Sequence, residues 1–545
     1  VAGGASAAAR IRRLDESAEI VMFERGPEPS FANCGLPYYI GGVIEQRDKL
    51  LVARKSLLEG RHQIDVRTHS DVVSIDRASQ EVAVLNLETG DTYREAYDRL
   101  ILAPGAAPLR PPIPGIDLPH IYTLRDLRDA DTLHAITHGS NSAIVVGAGF
   151  IGVEVAENLI HRGLDVTMVE LAQQVLAPWD AEMVAPIEEQ LRARGVQLVL
   201  GTSATQFVAT DDGITVQLSN GKSIAANYVV LAIGVRPENK LAAEAGLECG
   251  TRGGIITNDH MQTSDPLIYA VGDAIEVREY VSGKPTQIPL AGPANRQGRI
   301  AADHIFGRTS KFRGTQGTAV VGVFGMTAAT TGLSEKLLRA HNIPYEKVYI
   351  HPANHAGYYP GAKQLSLKLL FSPADGKILG AQAVGHEGVD KRIDVLSVAL
   401  QAGMTVYDLE EMELCYAPQF GSAKDPVNMA GFVASGVLRG DHPVAHSTDL
   451  DELRAGGPIL LDVRTEAEWN AGHIPGAIHV PVDELRHRLD ELSIDADVIV
   501  YCRVGMRGYL ATRVLLHHGY RVKNLSGGIM TWERVETANR NTVES

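Results

Sequence analysis

A strand, a glycine turn and a helix follow one another without a break between residues 142 and 160, and few folds accept that succession. Ser142-Ala143-Ile144-Val145-Val146 reads as a buried strand, Gly147-Ala148-Gly149-Phe150-Ile151-Gly152 completes a G-x-G-x-x-G turn, and residues 153–160 continue as helix. Gly147 permits the tight turn, Gly149 lets a pyrophosphate reach backbone amides, and Gly152 lets helix and strand pack closely, with the helix amino end facing the phosphates. Glu170 ends the next strand, Val166-Thr167-Met168-Val169, where a carboxylate accepts both ribose hydroxyls and repels a 2′-phosphate. The following Leu171-Ala172-Gln173-Gln174 supplies no arginine, so NADH is expected over NADPH.

A second pattern of this kind opens the sequence. Residues 1–10, with Gly3 and Gly4, read as the glycine turn and start of an alanine-rich helix, and the strand feeding that turn is expected ahead of Val1. Glu24 closes the apolar run Ile20-Val21-Met22-Phe23 and lies 20 residues after Gly4, the usual distance to a carboxylate gripping an adenosine ribose. Two such sites about 140 residues apart imply two dinucleotide cofactors.

The 545 residues suggest roughly three to four domains. Fifty-one basic against 66 acidic residues give a net charge of −15, which argues against a nucleic-acid binder. Cysteines stand only at 34, 249, 415 and 502, without metal-ligand spacing or the density of a disulfide scaffold, so no metal is expected and a reducing, cytoplasmic setting is. The longest uncharged stretch, 314–334, has few large aliphatics and falls short of a membrane span, and no signal-peptide pattern is read at Val1.

Further segments say which cofactor is which. Tyr269-Ala270-Val271-Gly272-Asp273-Ala274 resembles the second flavin motif of the pyridine nucleotide-disulfide oxidoreductases, in which the aspartate holds the ribityl chain. Residues 289–298, beginning Pro289-Leu290-Ala291, look like the helix start beneath the flavin pyrimidine edge. Ala103-Pro104-Gly105-Ala106 and Ala232-Ile233-Gly234-Val235-Arg236-Pro237 match the family's crossings between its two nucleotide domains. The resemblance implies FAD on Gly3, Gly4, Glu24, Arg25, Asn33, Ala103, Gly105, Asp273, Pro289 and Ala291. It implies NAD on Gly147, Gly149, Phe150, Ile151, Gly152, Glu170 and Gly234.

Within that family, residues 30–42, Ser-Phe-Ala-Asn-Cys-Gly-Leu-Pro-Tyr-Tyr and onward, resemble the signature of coenzyme A disulfide reductases and of single-cysteine NADH oxidases and polysulfide reductases. Cys34 has no second cysteine within 200 residues, so it cannot store two electrons in an internal disulfide and needs an external sulfur or a sulfenic acid. A helix amino end and the adjacent flavin are expected to lower its pKa. The resemblance places coenzyme A on Ser6, Arg10, Arg13, Ser30, Asn33, His62, Asn295 and Lys424, with His62 where some relatives have lysine. Arg10 and Arg13, at i and i+3, share a helix face and suit a phosphate clamp; a solvated basic face is the alternative. Ala2 stands where the peroxidase branch carries a histidine, which removes the acid or base for peroxide reduction, and Cys249 reads as inert.

Residues 318–436 resemble the family's dimerisation domain, whose tyrosines reach the cysteine of the other subunit. Tyr416 is the better candidate, with either Tyr358 or Tyr359 beside it; core or interface packing is the alternative. Cys415 and Gln419 depart from the alanine and proline of the pattern.

After a polar, punctuated linker at 438–447, a new α/β pattern begins. Asp497-Val498-Ile499-Val500-Tyr501 delivers Cys502-Arg503-Val504-Gly505-Met506-Arg507-Gly508 ahead of a helix. Such a loop turns successive amides toward one point and favours a thiolate or persulfide, and Arg503 and Arg507 add positive charge. With Leu461-Asp462-Val463-Arg464, Glu468-Trp469, Gly472-His473-Ile474-Pro475-Gly476-Ala477 and Ser526-Gly527-Gly528, the segment resembles a single rhodanese domain. Its C-x4-R loop is tighter than a phosphatase C-x5-R cradle and suits sulfur.

The expected fold is α/β throughout: two Rossmann-like FAD and NAD domains, an α+β dimerisation domain and a C-terminal α/β rhodanese domain. The boundaries are 1–113 and 256–316 (FAD), 114–255 (NAD), 317–437 (dimerisation), 438–447 (linker) and 448–545 (rhodanese). The expected activity is NADH-dependent, FAD-mediated reduction of coenzyme A persulfide, polysulfide or coenzyme A disulfide by a homodimer, with Cys34 reacting and Cys502 handling sulfane sulfur. The linked domains would raise effective concentration without any tight contact. An NADH oxidase using a Cys34 sulfenic acid and a non-catalytic sulfur carrier or redox sensor are the alternatives.

Overall fold

The computed structural model describes residues 1–543; the last two residues of the expected domain 448–545 lie outside the described residues. The chain divides into two compact units, one made of residues 1–169, 195–197 and 203–317, the other of 170–194, 198–202 and 318–545.

In the first unit, strand Ser142–Val146 lies between the parallel strands Asp165–Val169 and Tyr228–Leu231, with Ile121–Thr123 beyond. Residues Ala143, Ile144, Val145 and Val146 are all buried, which is why this run is continuously apolar rather than alternating. The amino-terminal helix Ala2–Leu14 packs on helix Ala291–Ile305, and the short parallel pair Ile268–Ala270 and Leu100–Leu102 contributes to a core that includes Val271, Ala274 and Ala301. Strands Ala106–Pro108 and Val235–Pro237 pair antiparallel, joining the two segments read as crossings between nucleotide domains.

In the second unit, five antiparallel strands run in the order Ala319–Val323, Met326–Gly332, Ile378–Gly385, Ser366–Phe371 and Glu346–Ile350. The uncharged stretch 314–334 is thus spent on two paired strands. Among the described residues no helix is long and apolar enough to cross a membrane. A second, all-parallel sheet orders Val444–Ala445, Arg521–Leu525, Asp497–Tyr501, Ile459–Asp462 and Ile478–His479.

Two expectations change here. Part of the stretch 438–447 read as a linker belongs to this parallel sheet, because Val444 and Ala445 pair with Asn524 and Leu525. The parallel-sheet domain is also docked rather than merely tethered. The Tyr349 amide donates to Ser526 Oγ (3.1 Å), Lys347 Nζ to Thr448 Oγ1 (3.0 Å), and His351 Nε2 bonds Thr531 Oγ1 (2.8 Å). Burial pays off here only because each of these polar groups finds its partner. Behind the contact, Lys368, fully buried, reaches Asp180 Oδ2, Glu182 Oε1 and Glu335 Oε2 at 2.6–2.9 Å. Desolvation opposes its charge, but the surrounding carboxylates hold the ammonium above the usual lysine range.

Candidate active site

Cys34 is the middle residue of a single turn, Asn33–Gly35, that leads directly into helix Leu36–Ile40. The turn is pinned by the Gly35 amide on Ala32 O (2.9 Å) and the Ala32 amide on Leu50 O (2.8 Å). Its thiol is exposed and unbridged. In the polypeptide alone, desolvation first, then the carboxylates of Glu154 and Asp273, push the thiol up.

The expected coenzyme A residues of the first unit fall on neighbouring elements. Ser6 Oγ donates to Asn295 Oδ1 (2.5 Å), linking helices Ala2–Leu14 and Ala291–Ile305. Ser30 is buried beside a cleft of about 420 Å³ that Glu28, Leu51, Arg54 and Lys55 help to line. Asn33 and Arg13 are exposed. Arg10 is paired through its guanidinium with Asp303 (2.7 Å), which also accepts Ser310 Oγ (2.9 Å). The arginine that the sequence did not single out is Arg12, buried, donating to His62 O and Gln63 O (both 2.9 Å) and so fixing the end of helix Lys55–His62 that carries His62.

The residues present fit both cofactors. Gly147 adopts φ +103°, and a Cβ on Gly152 would lie 2.0 Å from Gly147 O, so the turn closes only with glycine. A Cβ on Gly149 would meet nothing within 4 Å, which leaves room for a pyrophosphate at a helix start, Phe150–His161, that no side chain caps. Ile151 at that start is exposed, and Gly234, also at positive φ, follows strand Tyr228–Leu231. Glu170 Oε1 accepts the Ala172 amide (2.8 Å), and Glu24 Oε1 accepts the Gly26 amide (2.7 Å). The two carboxylates thus share one local clasp, each at the end of the second strand of its motif.

On the flavin side, Gly3 and Gly4 open the first helix, and a Cβ on Gly298 would lie 2.2 Å from Gly3 O. Asp273 sits in the turn Gly272–Ala274 with its carboxyl raised by desolvation, an offset from Arg125 notwithstanding; hydroxyl donors of a ribityl chain suit such a group. Pro289 and Ala291 are exposed at the uncapped start of helix Ala291–Ile305, and Ala103 and Gly105 follow strand Leu100–Leu102. Arg25, by contrast, is salt-bridged to Asp71 (2.9 Å).

In the second unit, Tyr358 and Tyr416 bring their hydroxyls to 2.6 Å, while Tyr359 stands edge-on to His355. Two loops hold this pair: the Ala356 amide donates to Gly421 O (2.9 Å), and buried Arg392 bonds Asn354 O and Asp425 (both 2.8 Å). Cys415 and Tyr416 lie in loop, both exposed, so strand alternation does not separate them, and Lys424 is exposed nearby in sequence.

Cys502 is buried at the end of strand Asp497–Tyr501, and its sulfur accepts the Gly505 amide at 3.2 Å. Gly505, at φ +103°, turns that amide inward and caps helix Met506–His517. Arg503 and Met506 are exposed; Val504 and Arg507 are half-buried. The charge expected from Arg507 is partly offset, because both of its terminal nitrogens lie 2.7 Å from Glu468. Nothing in the local sequence announces that pair or the contact of Tyr38 with Glu154 (3.3 Å), since each joins residues far apart in the chain.

Residues 2–298 match the pyridine nucleotide-disulphide oxidoreductase family, 318–426 its dimerisation domain, and 447–535 the rhodanese-like domain. A coenzyme A disulfide reductase of Staphylococcus epidermidis is 38% identical over 437 residues, covering 80% of this chain and 98% of the relative. The reduced Bacillus anthracis protein termed CoADR-RHD superposes with a TM-score of 0.96 at 49% identity, covering 98% of this chain and 96% of that one. An NAD-dependent persulfide reductase from A. fulgidus gives 0.91 at 37%, covering 97% and 98%. The glycine turns, the solitary exposed Cys34 and the Cys502 loop therefore belong to a flavin-dependent reductase, and the chain is a member of the pyridine nucleotide-disulphide oxidoreductase family, of its coenzyme A disulfide reductase branch, with a rhodanese-like domain at its carboxyl end.

Proposed function

We propose that the chain works as a homodimer that uses NADH to reduce coenzyme A persulfide, polysulfide or coenzyme A disulfide at Cys34, with Cys502 carrying sulfane sulfur. The observation that carries this reading is an exposed, unbridged Cys34 on a pinned turn, in a chain that also holds a buried Cys502 under an inward-turned amide. FAD, when bound through the residues above, supplies the electron pair drawn from NADH that returns Cys34 to the thiol.

The polypeptide does the rest. Cys34 as thiolate attacks a sulfur of the coenzyme A persulfide; the S–S bond breaks, a Cys34–coenzyme A disulfide forms, and hydrosulfide leaves. Ser6, Ser30, Asn33, His62, Asn295, Arg13 and Lys424 orient the coenzyme A, with Arg10 acting through its ion pair to Asp303. The hydroxyls of Tyr358 and Tyr416 protonate or hydrogen-bond the leaving thiolate at Cys34 of the partner subunit. Cys502 accepts sulfane sulfur from a donor and hands it to coenzyme A, its charged sulfur held by the Gly505 amide and by Arg507.

Anaerobic, NADH-driven hydrosulfide release from coenzyme A persulfide tests this. Cys34→Ser is expected to abolish it and to remove a coenzyme A adduct from the intact mass of gently purified protein. Cys502→Ser is expected to lose sulfur transfer from thiosulfate while keeping coenzyme A disulfide reduction. Hydrosulfide release that survives Cys34→Ser overturns the reading, and oxygen consumption without hydrosulfide release favours an NADH oxidase.

A further inference from the structure

The stretch 438–447, read from sequence as a linker, sends one side chain to the Cys502 loop. His442 is buried, and its Nε2 lies 2.8 Å from Asn524 Nδ2. Asn524, also buried, belongs to strand Arg521–Leu525 and donates through the same nitrogen to Gly505 O (3.1 Å). Gly505 is the residue whose amide reaches the Cys502 sulfur at 3.2 Å. Three polar contacts thus run in series from His442 to the sulfur, and the sulfur chemistry above uses neither His442 nor Asn524.

The polarity of this chain is fixed. Gly505 O only accepts, so the Asn524 atom facing it is the amide nitrogen, which gives one hydrogen to Gly505 and has its other for His442. Nε2 is then the unprotonated ring nitrogen. Desolvation keeps the ring neutral, holding His442 down at about 4, with the charge of Arg513 acting in the same direction. Gly508 makes room for the amide, since a Cβ there would lie 2.2 Å from Asn524 Oδ1. His442 itself is held from two sides. Its amide donates to Gly436 O (3.0 Å) in the last turn of helix Pro426–Leu438, and its ring tilts against Tyr509 of helix Met506–His517, with centroids 4.5 Å apart.

We propose that His442 is a positioning residue of the Cys502 site: by accepting from Asn524 it fixes the amide that holds Gly505, and so keeps the Gly505 N–H on the reacting sulfur. This rests on Cys502 carrying sulfane sulfur. Gly505 needs holding, because a glycine at φ +103° has the freest backbone of any residue in the loop. Its carbonyl takes two donors, the Tyr509 amide (2.8 Å) along the helix and Asn524 Nδ2 from the strand. Without the histidine, the asparagine amide is free to turn about its last torsion and the second donor is lost. The donor on Cys502 counts whenever sulfur moves. The Cys502 thiolate attacks the outer sulfur of thiosulfate, the S–S bond breaks, and sulfite leaves with the bonding pair; cyanide then takes the outer sulfur of the persulfide as thiocyanate, and the Cys502 thiolate leaves with the pair of the broken bond. In both steps charge changes on the atom that the Gly505 amide faces.

Steady-state sulfur transfer from thiosulfate to cyanide by the full-length, flavin-bound protein tests the proposal. His442→Leu, which keeps bulk and removes the acceptor, is expected to lower kcat/KM for thiosulfate about tenfold, the effect of weakening one hydrogen bond to a charged atom. His442→Gln is expected to keep the parent value, because its amide oxygen takes the place of Nε2 as acceptor. A parent-like kcat/KM in His442→Leu overturns the proposal, and so does His442→Gln falling as far as His442→Leu, which marks packing against Tyr509 rather than the accepted bond. If thermal melts show His442→Leu unfolded at the assay temperature, Asn524→Ala is read in its place, with the same loss expected and a parent-like value overturning the proposal. Cys502→Ser judges the proposed function separately. Transfer that survives it removes Cys502 as the carrier and overturns both readings, whereas transfer lost in Cys502→Ser and unmoved in His442→Leu overturns the positioning role alone.

Discussion

Glu468 and Arg507 meet fork to fork, with both arms at 2.7 Å, although 39 residues separate them. Glu468 also closes the capping box of helix Glu466–Asn470 with Thr465, and these donors hold its carboxyl down at about 2. The glutamate therefore has one geometry, and it transmits that geometry to the arginine beside Cys502. Glu468→Gln is expected to lower thiosulfate sulfurtransfer about tenfold or more by loosening Arg507, with coenzyme A disulfide reduction unchanged; steady-state assays of both activities check it.

Arg392 and Asp425 form a buried ion pair that joins the two tyrosine-bearing loops. Removing one partner strands the other charge, so Arg392→Ala is expected to destabilise the protein by about 3–5 kcal/mol and to separate Tyr358 from Tyr416. Denaturant unfolding measures the first effect.

The histidines of the parallel-sheet domain predict an acid sensitivity. Desolvation holds His442 down at about 4 and His446 at about 3, below the ordinary value of 6.5. A histidine kept neutral by folding binds fewer protons than it does unfolded. Its contribution is fully present above pH 6.5 and is lost as pH falls from there toward 4. Thermal melts are expected to shift down between pH 7 and pH 4.5, with His442→Gln flattening that slope; a slope unchanged in the variant contradicts it.

Gly298 is where helix Ala291–Ile305 touches helix Ala2–Leu14, with no room for a methyl group against Gly3 O. Gly298→Ala pushes backbone against backbone. Purified protein is expected to carry substoichiometric flavin by absorbance, while Gly60→Ala, where a Cβ meets nothing within 4 Å, keeps its flavin.

Both dinucleotide motifs and the two sulfur loops were legible because each is local: a glycine turn needs its residues within one strand–loop–helix, and the Cys502 nest is built from consecutive amides. The paired clasp of Glu24 and Glu170 follows from position alone, one residue past a strand. The choice between Tyr358 and Tyr359 was not legible, since adjacent residues carry the same side chain and only the loop contacts through Ala356 and Arg392 point one of them at Tyr416.

Sequence by itself determined the order of the domains, the two loops that present Cys34 and Cys502 and the classes of cofactor, because those depend on residue type and short-range spacing. Tertiary structure alone decided the charge around Cys34, the capture of Arg10 by Asp303 and of Arg507 by Glu468, and the docking of the parallel-sheet domain through Tyr349, Lys347 and His351. Coulomb energies and hydrogen bonds act over a few ångströms of space, and the partners in each of these contacts lie too far apart in the chain for any local pattern to announce them.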